Sequence, residues 1–218
     1  MATLSRTEAR RFYDRLGAGQ DEQSWYEDPP IAALTAQARF EAADAVFELG
    51  CGTGRFAEGL LGHHLDGAAR YHGIDLSPRM AELAATRLAP YAPRATVVCT
   101  DGEPCTGLPA ATFDRFVATY VLDLLPGDEI RAWLAEAARL VAPGGRLCVA
   151  GLGQGRGPVS RTVAGAWALV HRLRPAAVGG CRPLAVARRL DRTAWSVEYH
   201  ATVAVRGIPS EVVVARRR

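Results

Sequence analysis

Three glycines in alternate positions, Gly50, Gly52 and Gly54, directly follow a short apolar run. Glycine adopts backbone conformations that other residues avoid, and it lets a ligand come close to the main chain. Glu48 lies near the end of the apolar run, where a buried carboxylate is costly unless a cation or hydrogen-bond donors meet it. The pattern predicts a small-molecule site in which a ligand ammonium group meets Glu48.

A second acid, Asp75, lies at the end of the next apolar run, about twenty residues further on. A carboxylate at that position suits two hydrogen bonds from ribose hydroxyls. Dinucleotide-binding proteins use the same acid, but their loop places a third glycine where this chain has Arg55. The loop therefore argues against a pyrophosphate ligand and against a nicotinamide oxidoreductase.

The composition excludes several chemistries. The chain has 218 residues, enough for one domain with a buried core, and it contains neither Lys nor Asn. Without Lys it has no Schiff-base lysine, no pyridoxal anchor and no phosphate-binding loop that ends in Gly-Lys. Without Asn it has no N-glycosylation acceptor and no Asn amide to hold a base or an amine.

Cysteine usage and the chain start favour a reduced, cytoplasmic protein. The five cysteines form no Cys-x-x-Cys pair or zinc-type cluster, and an odd number cannot all pair. We therefore expect no metal. The first residues lack the apolar region of a signal peptide, and no apolar run is long enough to span a membrane.

Apolar runs alternate with stretches of helical period, which predicts β-α-β units and a parallel sheet. The predicted strands are Ala45–Leu49, Arg70–Ile74, Ala95–Thr100, Arg115–Thr119 and Arg146–Ala150. The predicted helices between them are Gly54–Leu61, Pro78–Leu88 and Asp128–Val141, with Ser77 as the N-cap of the second.

The flanking segments have their own patterns. Helices are predicted at Arg6–Leu16, Ile31–Phe40, Val159–Leu173 and Leu184–Leu190. Strands are predicted at Trp195–Val205 and Glu211–Ala215, with residues 207–210 turning them into a hairpin.

Five ordered blocks give the chain a family resemblance. ELGCGTG, YHGIDLSPRMAELA, VVCTDGEP, FDRFVATYVLDLLP and RLVAPGGRLCVA resemble the motifs of class I S-adenosylmethionine-dependent methyltransferases. The resemblance implies an α/β, Rossmann-like fold with a mostly parallel seven-stranded sheet, an antiparallel C-terminal hairpin strand and helices on both faces. It also implies one domain over 1–218, made of an N-terminal helical lid (1–44), a cofactor-binding core (45–150), an acceptor-side helical insertion (151–194) and C-terminal strands (195–218).

The resemblance implies S-adenosylmethionine as the cofactor. The residues expected to contact it, matched block by block, are Glu48, Gly50, Gly52, Gly54, Asp75, Leu76, Asp101, Gly102, Thr119 and Tyr120. This cofactor carries an ammonium, a sulfonium, a ribose and an adenine but no phosphate. Acids and glycine backbone suffice to hold it, so a chain without Lys is compatible with it.

Methyl transfer by in-line displacement depends mainly on placing the acceptor atom against the methyl group. A base is needed only when the acceptor is protonated. Asp123 stands where quinone-type methyltransferases commonly have His. It is therefore a candidate base or a group near the sulfonium, and equally an acid favoured by a helix N-terminus. Tyr13, in an aromatic N-terminal segment, and His171, in the acceptor-side segment, are further candidates.

The charge distribution gives one more indication. Residues 151–218 hold 12 of the 26 Arg but only three of the 23 acids. A guanidinium cluster suits a carboxylate or phosphate on the substrate, although a solvated, codon-biased helix face explains it equally well.

The leading hypothesis is a methyltransferase acting on a small molecule, with an anionic group on that molecule as one option. The expected state is a monomer or homodimer without a nucleic-acid partner. The basic tail Arg216–Arg218 keeps an RNA or protein methyltransferase open. A cofactor-binding interaction protein without catalysis also stays open, because Asp123 replaces a familiar His.

Overall fold

The computed structural model describes residues 3–218, which form one seven-stranded sheet. Its strands are β1 (Ala45–Leu49), β2 (Arg70–Asp75), β3 (Ala95–Cys99), β4 (Phe113–Thr119), β5 (Val141–Leu152), β6 (Trp195–Val205) and β7 (Ile208–Arg217). Their order across the sheet is β3-β2-β1-β4-β5-β7-β6. The first five strands run parallel, whereas β7 pairs antiparallel with both β5 and β6. The predicted fold class is confirmed.

Within residues 3–218, six α-helices accompany the sheet. They are α1 (Arg6–Leu16), α2 (Ser24–Ala38), α3 (Arg55–His63), α4 (Pro78–Leu88), α5 (Gly127–Leu140) and α6 (Pro158–Leu173). The start of α4 follows the sequence prediction, since Met80 N donates to Ser77 Oγ at 3.1 Å and Pro78 occupies the first helical position. None of the helices described within residues 3–218 combines the length and apolar character needed to cross a membrane.

Two apolar layers enclose the sheet, because successive strand residues point to opposite faces. On one face Val46 and Val117 pack with Leu34 of α2 and Leu60 of α3. On the other face Phe47 and Phe116 pack with the buried side of α5, which includes Ile130, Trp133 and Leu140. Burial of both faces stabilises the sheet. Because its first five strands run parallel, their carboxyl ends lie along one edge.

Several sequence predictions differ from the structure, and one is the start of β5, which lies at Val141 instead of Arg146. Residues 184–190 form no α-helix, because Leu184 N donates to Leu152 O and Val186 N to the carboxylate of Glu211, leaving only a short 3-10 turn. Helix α2 begins at Ser24 rather than Ile31 and continues through Pro29 and Pro30, because its face is buried against the core. The hairpin turn is residues 206–207, since Ile208 already pairs with Val205.

The register explains why the site residues meet. Leu49 pairs with Ile74 on one side and with Ala118 on the other, so β1, β2 and β4 end at the same level. In open α/β sheets, ligands bind in the crevice beyond these carboxyl ends.

Candidate active site

A cavity of about 380 Å³ lies beyond the carboxyl ends of β1, β2 and β4. Eight of the ten residues expected to contact the cofactor line it: Glu48, Gly50, Gly52, Asp75, Leu76, Gly102, Thr119 and Tyr120. Gly54 and Asp101 do not. Among the catalytic candidates Tyr13 lines the cavity, whereas Asp123 and His171 do not.

The glycine loop separates into a ligand-facing part and a packing part. A Cβ on Gly52 would have no atom within 4 Å, so this glycine leaves open space in the cavity wall. A Cβ on Gly54 would lie only 2.9 Å from the Ala84 Cα in α4. The expectation that Gly54 contacts the cofactor is therefore corrected: its missing side chain lets α3 begin against α4.

Glu48 is 1% exposed, and its carboxylate Oε2 accepts a hydrogen bond of 2.6 Å from the Tyr71 hydroxyl. The pKa of Glu48 is raised from 4.5 to about 8, mainly by burial and to a smaller extent by the negative charge of Asp75, whereas the hydrogen bond from the Tyr71 hydroxyl opposes the shift. A cationic ligand group beside Glu48 favours its ionised form. The position fits the ammonium predicted from the sequence.

The Asp75 carboxylate is held by backbone amides on both oxygens. Gly52 N donates to Oδ2 at 2.9 Å, and Ser77 N donates to Oδ1 at 2.8 Å. Each oxygen retains a further lone pair, so the fixed carboxylate can also accept from two ligand hydroxyls. Burial raises the pKa of Asp75, and the amides oppose that shift.

The wall beyond Asp75 is apolar and closed by α1. Leu76 and Gly102 lie side by side, and a Cβ on Gly102 would lie only 3.3 Å from Leu76 Cδ1. Arg6 of α1 covers this corner and forms ion pairs with Glu103 and Glu129. Asp101 is exposed, and its Oδ1 accepts from Glu103 N at 3.0 Å within its own loop. Its predicted place at the adenine is therefore not seen.

Tyr120 follows β4 and adopts a positive φ of 52°, a conformation that costs a non-glycine residue about 1–2 kcal/mol. Its amide donates to Ala150 O at 2.7 Å, and its hydroxyl lies 2.7 Å from Ser210 Oγ. Tyr26 of α2 packs edge-on against its ring at 5.9 Å. A strained backbone conformation persists only where the surrounding structure imposes it, and such residues are common at binding sites.

The N-terminal segment forms the opposite wall and is attached to the core by polar contacts. Asp14 accepts from Ser77 Oγ at 2.6 Å, and Asp21 accepts from Thr53 Oγ1 at 2.6 Å and from the Arg87 guanidinium at 2.8 Å. Tyr13 lines the cavity and donates its hydroxyl to Gly179 O at 3.3 Å. These contacts attach the N-terminal segment, which the sequence analysis predicted to be a lid, to the core beside the cavity.

Asp123 is 2% exposed and turned away from the cavity lining. Its Oδ2 accepts from Leu152 N at 3.0 Å, while Oδ1 has no hydrogen-bond partner. Burial raises its pKa to about 6, although the Leu152 amide opposes the shift. The structure therefore gives Asp123 a contact to β5 in place of the expected contact with reacting groups.

The other acceptor-side expectations are also corrected. His171 is fully buried in α6, and neither ring nitrogen has a partner. None of the eight Arg of the acceptor-side segment lines the cavity. Arg182 is the buried one, and its guanidinium donates to the carbonyls of Asp123 and Leu125. The other guanidinium groups of the cluster are exposed to solvent, so the cluster provides no binding site for an anionic substrate group in the cavity.

The most buried of the cavity acids that sequence reasoning did not find is Glu27. Glu27 of α2 is 6% exposed and lines the cavity, yet the sequence pattern drew attention only to its aromatic neighbours. A usable signal was present, because no basic residue lies within four positions of this acid.

The cavity is acidic as a whole. Its lining contains two Arg, Arg6 and Arg55, both ion-paired. The acids in the lining are Glu8, Asp21, Glu27, Glu48, Asp75 and Glu129. Residues 3–218 contain no cluster of His, Cys, Asp and Glu that could hold a metal ion, and all five cysteines are free. The arrangement suits a cationic, phosphate-free cofactor.

The sheet order and the acids around the glycine loop define a Rossmann-like methyltransferase fold. Residues 46–145 match the family described as a methyltransferase domain. Together with the relatives below, this match supports a class I S-adenosylmethionine-dependent methyltransferase with S-adenosylmethionine as its cofactor.

Two curated relatives agree with this. A malonyl-acyl-carrier-protein O-methyltransferase of Hahella chejuensis (strain KCTC 2396) is 31% identical over 142 residues, 64% of this chain and 45% of that protein. A demethylmenaquinone methyltransferase of Tropheryma whipplei (strain Twist) is 33% identical over 108 residues, 50% of this chain and 41% of that protein. The matched region spans less than half of either relative.

Solved structures share the fold over nearly the whole chain. The N-methyltransferase NodS from Bradyrhizobium japonicum WM9, in complex with S-adenosyl-L-homocysteine, has a TM-score of 0.71 at 19% identity and covers 96% of this chain and 98% of its own. The (4+2)-cyclase SpnF has a TM-score of 0.76 at 15% identity and covers 100% and 97%. At these identities the likeness concerns the fold.

Proposed function

We propose that this protein transfers the methyl group of S-adenosylmethionine to a small-molecule acceptor. The observation that carries the proposal is the cavity itself, in which Glu48, Gly52 and Asp75 present an acid, an open backbone and a second acid at adjacent strand ends. The match to a methyltransferase domain covers these residues.

The residues present fit this cofactor. The buried Glu48 carboxylate lacks a cationic partner of its own and suits an ammonium group. Each carboxylate oxygen of Asp75 accepts one backbone amide, from Gly52 or from Ser77, and keeps a lone pair that can accept a ribose hydroxyl. Leu76 and Gly102 lie side by side in the cavity wall and offer an apolar surface on which a planar base can pack. The bound cofactor supplies a methyl group activated by its sulfonium.

The chain's own contribution is mainly placement. The contacts of Asp14 and Asp21 hold the N-terminal wall beside the cavity, and this wall confines the acceptor on that side. Confinement in a near-attack geometry accounts for about 7–11 kcal/mol of barrier lowering in well-oriented reactions. An in-line displacement with a good leaving group needs little beyond this.

A small acceptor is supported by the position of the lid. Residues of α1 and α2 form one wall of the cavity, so the N-terminal segment encloses it on that side. The names of the two curated relatives refer to different acceptors, a carrier-bound malonyl group and demethylmenaquinone. The acceptor therefore has to be inferred from the cavity of this chain.

Calorimetry with S-adenosylhomocysteine tests the proposal. We expect binding by the unmodified protein and at least a 100-fold loss in Asp75→Ala, because both ribose contacts disappear. Asp128→Ala, an exposed acid outside the cavity, is the matched control and should bind normally. Thermal unfolding of each variant separates lost binding from lost folding. An unmodified, folded protein that does not bind S-adenosylhomocysteine contradicts the proposal.

A further inference from the structure

Glu27 is a buried cavity acid without a strong protein partner. Gln20 Nε2 lies 3.5 Å from Glu27 Oε1, which is the outer limit of a hydrogen bond, and the Tyr26 hydroxyl, which also interacts with this carboxylate, donates to Gln23 Oε1 at 2.7 Å. Within residues 3–218 no Arg or His nitrogen lies within 4.0 Å of its carboxylate. Buried carboxylates are normally paired, so this one points to a partner supplied by a ligand.

Glu136 shows how the same chain treats a structural acid of similar exposure. It is 8% exposed, but its carboxylate receives hydrogen bonds from the Arg139 guanidinium at 2.7 Å and from Thr106 Oγ1 at 2.7 Å. These partners lower its pKa to about 2. Glu27 lacks such partners and lines the cavity, which a purely structural role does not explain.

The surroundings of Glu27 suit a cation. Tyr13 and Tyr120 line the same cavity, and the charge of Glu27 acts on Tyr120 closely enough to raise the pKa of that phenol, in addition to the larger effect of burial. Faces of tyrosine rings attract ammonium groups. The two Arg of the lining are engaged elsewhere, Arg6 with Glu129 and Arg55 with Asp28.

We propose that the acceptor is an amine and that Glu27 binds its ammonium form and removes a proton from it. This inference rests on the proposed methyl transfer and names its substrate class and its base. An ammonium group beside the carboxylate gives Glu27 the ion pair that the protein does not provide.

The proposed step balances. The ammonium nitrogen transfers one proton to the Glu27 carboxylate and regains its lone pair. That lone pair forms the nitrogen–carbon bond to the methyl group as the carbon–sulfur bond breaks, and the electron pair of that bond stays on sulfur as a neutral thioether. The products are a methylated ammonium and S-adenosylhomocysteine, and Glu27 passes its proton to water.

The protonation of Glu27 depends on every charged or titratable group that faces it. Burial raises its pKa to about 7, and the hydrogen bond with Tyr26 and the positive charge of Arg55 oppose this shift. The groups that interact with it from its own helix and from neighbouring segments are Tyr26, Asp28, Arg55, Tyr120, Asp123 and Cys181. Above pH 7 the carboxylate predominates, so the base becomes competent as pH rises.

The activity test compares matched acceptors. Benzylamine and hexylamine are incubated with the protein and S-adenosylmethionine, in parallel with benzyl alcohol and hexanol, and methylated products are measured. We expect methylation of amines alone. For the amines, kcat/KM should rise with pH through about 7. Glu27→Gln should lower kcat/KM by about 100-fold or more and abolish the rise of kcat/KM with pH. Glu27→Asp should restore part of both.

A binding test does not depend on turnover. Calorimetry of hexylammonium with the complex of protein and S-adenosylhomocysteine should give a Kd at least 10-fold weaker in Glu27→Gln than in the unmodified protein. Glu22→Gln, an exposed acid on the preceding turn, is the matched control and should change neither Kd nor kcat. Both variants should bind S-adenosylhomocysteine normally.

The outcomes separate the two proposals. Failure of the unmodified protein to bind S-adenosylhomocysteine contradicts the methyltransferase proposal itself. Normal cofactor binding with no methylation of either amine, with methylation of the alcohols, or with an unchanged hexylammonium Kd in Glu27→Gln overturns the amine inference and leaves the methyltransferase proposal standing.

Discussion

Gly54→Ala should destabilise the protein strongly, because Gly54 serves helix packing. A Cβ there would lie 2.9 Å from Ala84 Cα and 3.1 Å from Ala84 Cβ, and the backbone has φ +77°. The left-handed conformation costs a non-glycine residue about 1–2 kcal/mol. Crowding against a helix backbone adds about 1–3 kcal/mol. Together they lower the free energy of unfolding by about 2–5 kcal/mol.

Denaturant and thermal unfolding measure this loss. For a chain of 218 residues each kcal/mol corresponds to about 2–4 °C, so Tm should fall by about 4–20 °C. Gly59→Ala, in α3 with open space around its Cβ position, should instead raise stability by about 0.5–1 kcal/mol.

Gly52→Ala is the variant to compare with Gly54→Ala, because it separates an effect on ligand binding from an effect on helix packing. It shares a positive φ of 55° but meets no atom within 4 Å, so only the conformational cost of about 1–2 kcal/mol applies. Its methyl group enters the cavity, so S-adenosylhomocysteine should bind more weakly to Gly52→Ala than to Gly54→Ala. Unfolding of Gly54→Ala within about 1 kcal/mol of the unmodified protein, together with lost ligand binding, would refute the packing role.

Two further predictions concern buried titratable groups. Burial raises the pKa of Glu48 from 4.5 to about 8, so the folded state holds its proton more tightly than the unfolded state. The resulting stability is present below pH 4.5 and is lost as pH rises through 8. Glu48→Gln should therefore reduce the fall in Tm between about pH 5 and 8 in the ligand-free protein. An unchanged Tm profile in that variant would contradict the assignment. His171→Leu should leave Tm equal or higher, because both ring nitrogens are buried without partners, and should leave kcat unchanged. A large loss of kcat in a stable His171→Leu protein would return His171 to the active site.

The fold followed from periodicity because the parallel strands are buried on both faces and the helices have one apolar side. Strand β1 and helix α4 have the predicted limits, since an apolar run and the cap Ser77 define them locally. Residues 184–190 did not follow, because their amides bind Leu152 and Glu211, which are distant in sequence. The early start of α2 likewise depends on burial that overrides two prolines.

The site divides in the same way. Glu48, Gly52 and Asp75 could be predicted because the strand ends fix them, and parallel strands bring their carboxyl ends together. The positions of Asp123 and His171 depend on the turn after β4 and on the packing of α6. Their side chains lie in the interior for reasons that no local pattern records.

The most direct test of the proposed function is a crystal structure of the protein with S-adenosylhomocysteine. We expect the ligand in the cavity, with its ribose hydroxyls within hydrogen-bond distance of the Asp75 carboxylate, its amino group beside Glu48 and its sulfur on the side of Tyr120 and Glu27. A ligand bound elsewhere, or in this cavity with its ribose away from Asp75, would contradict the proposal.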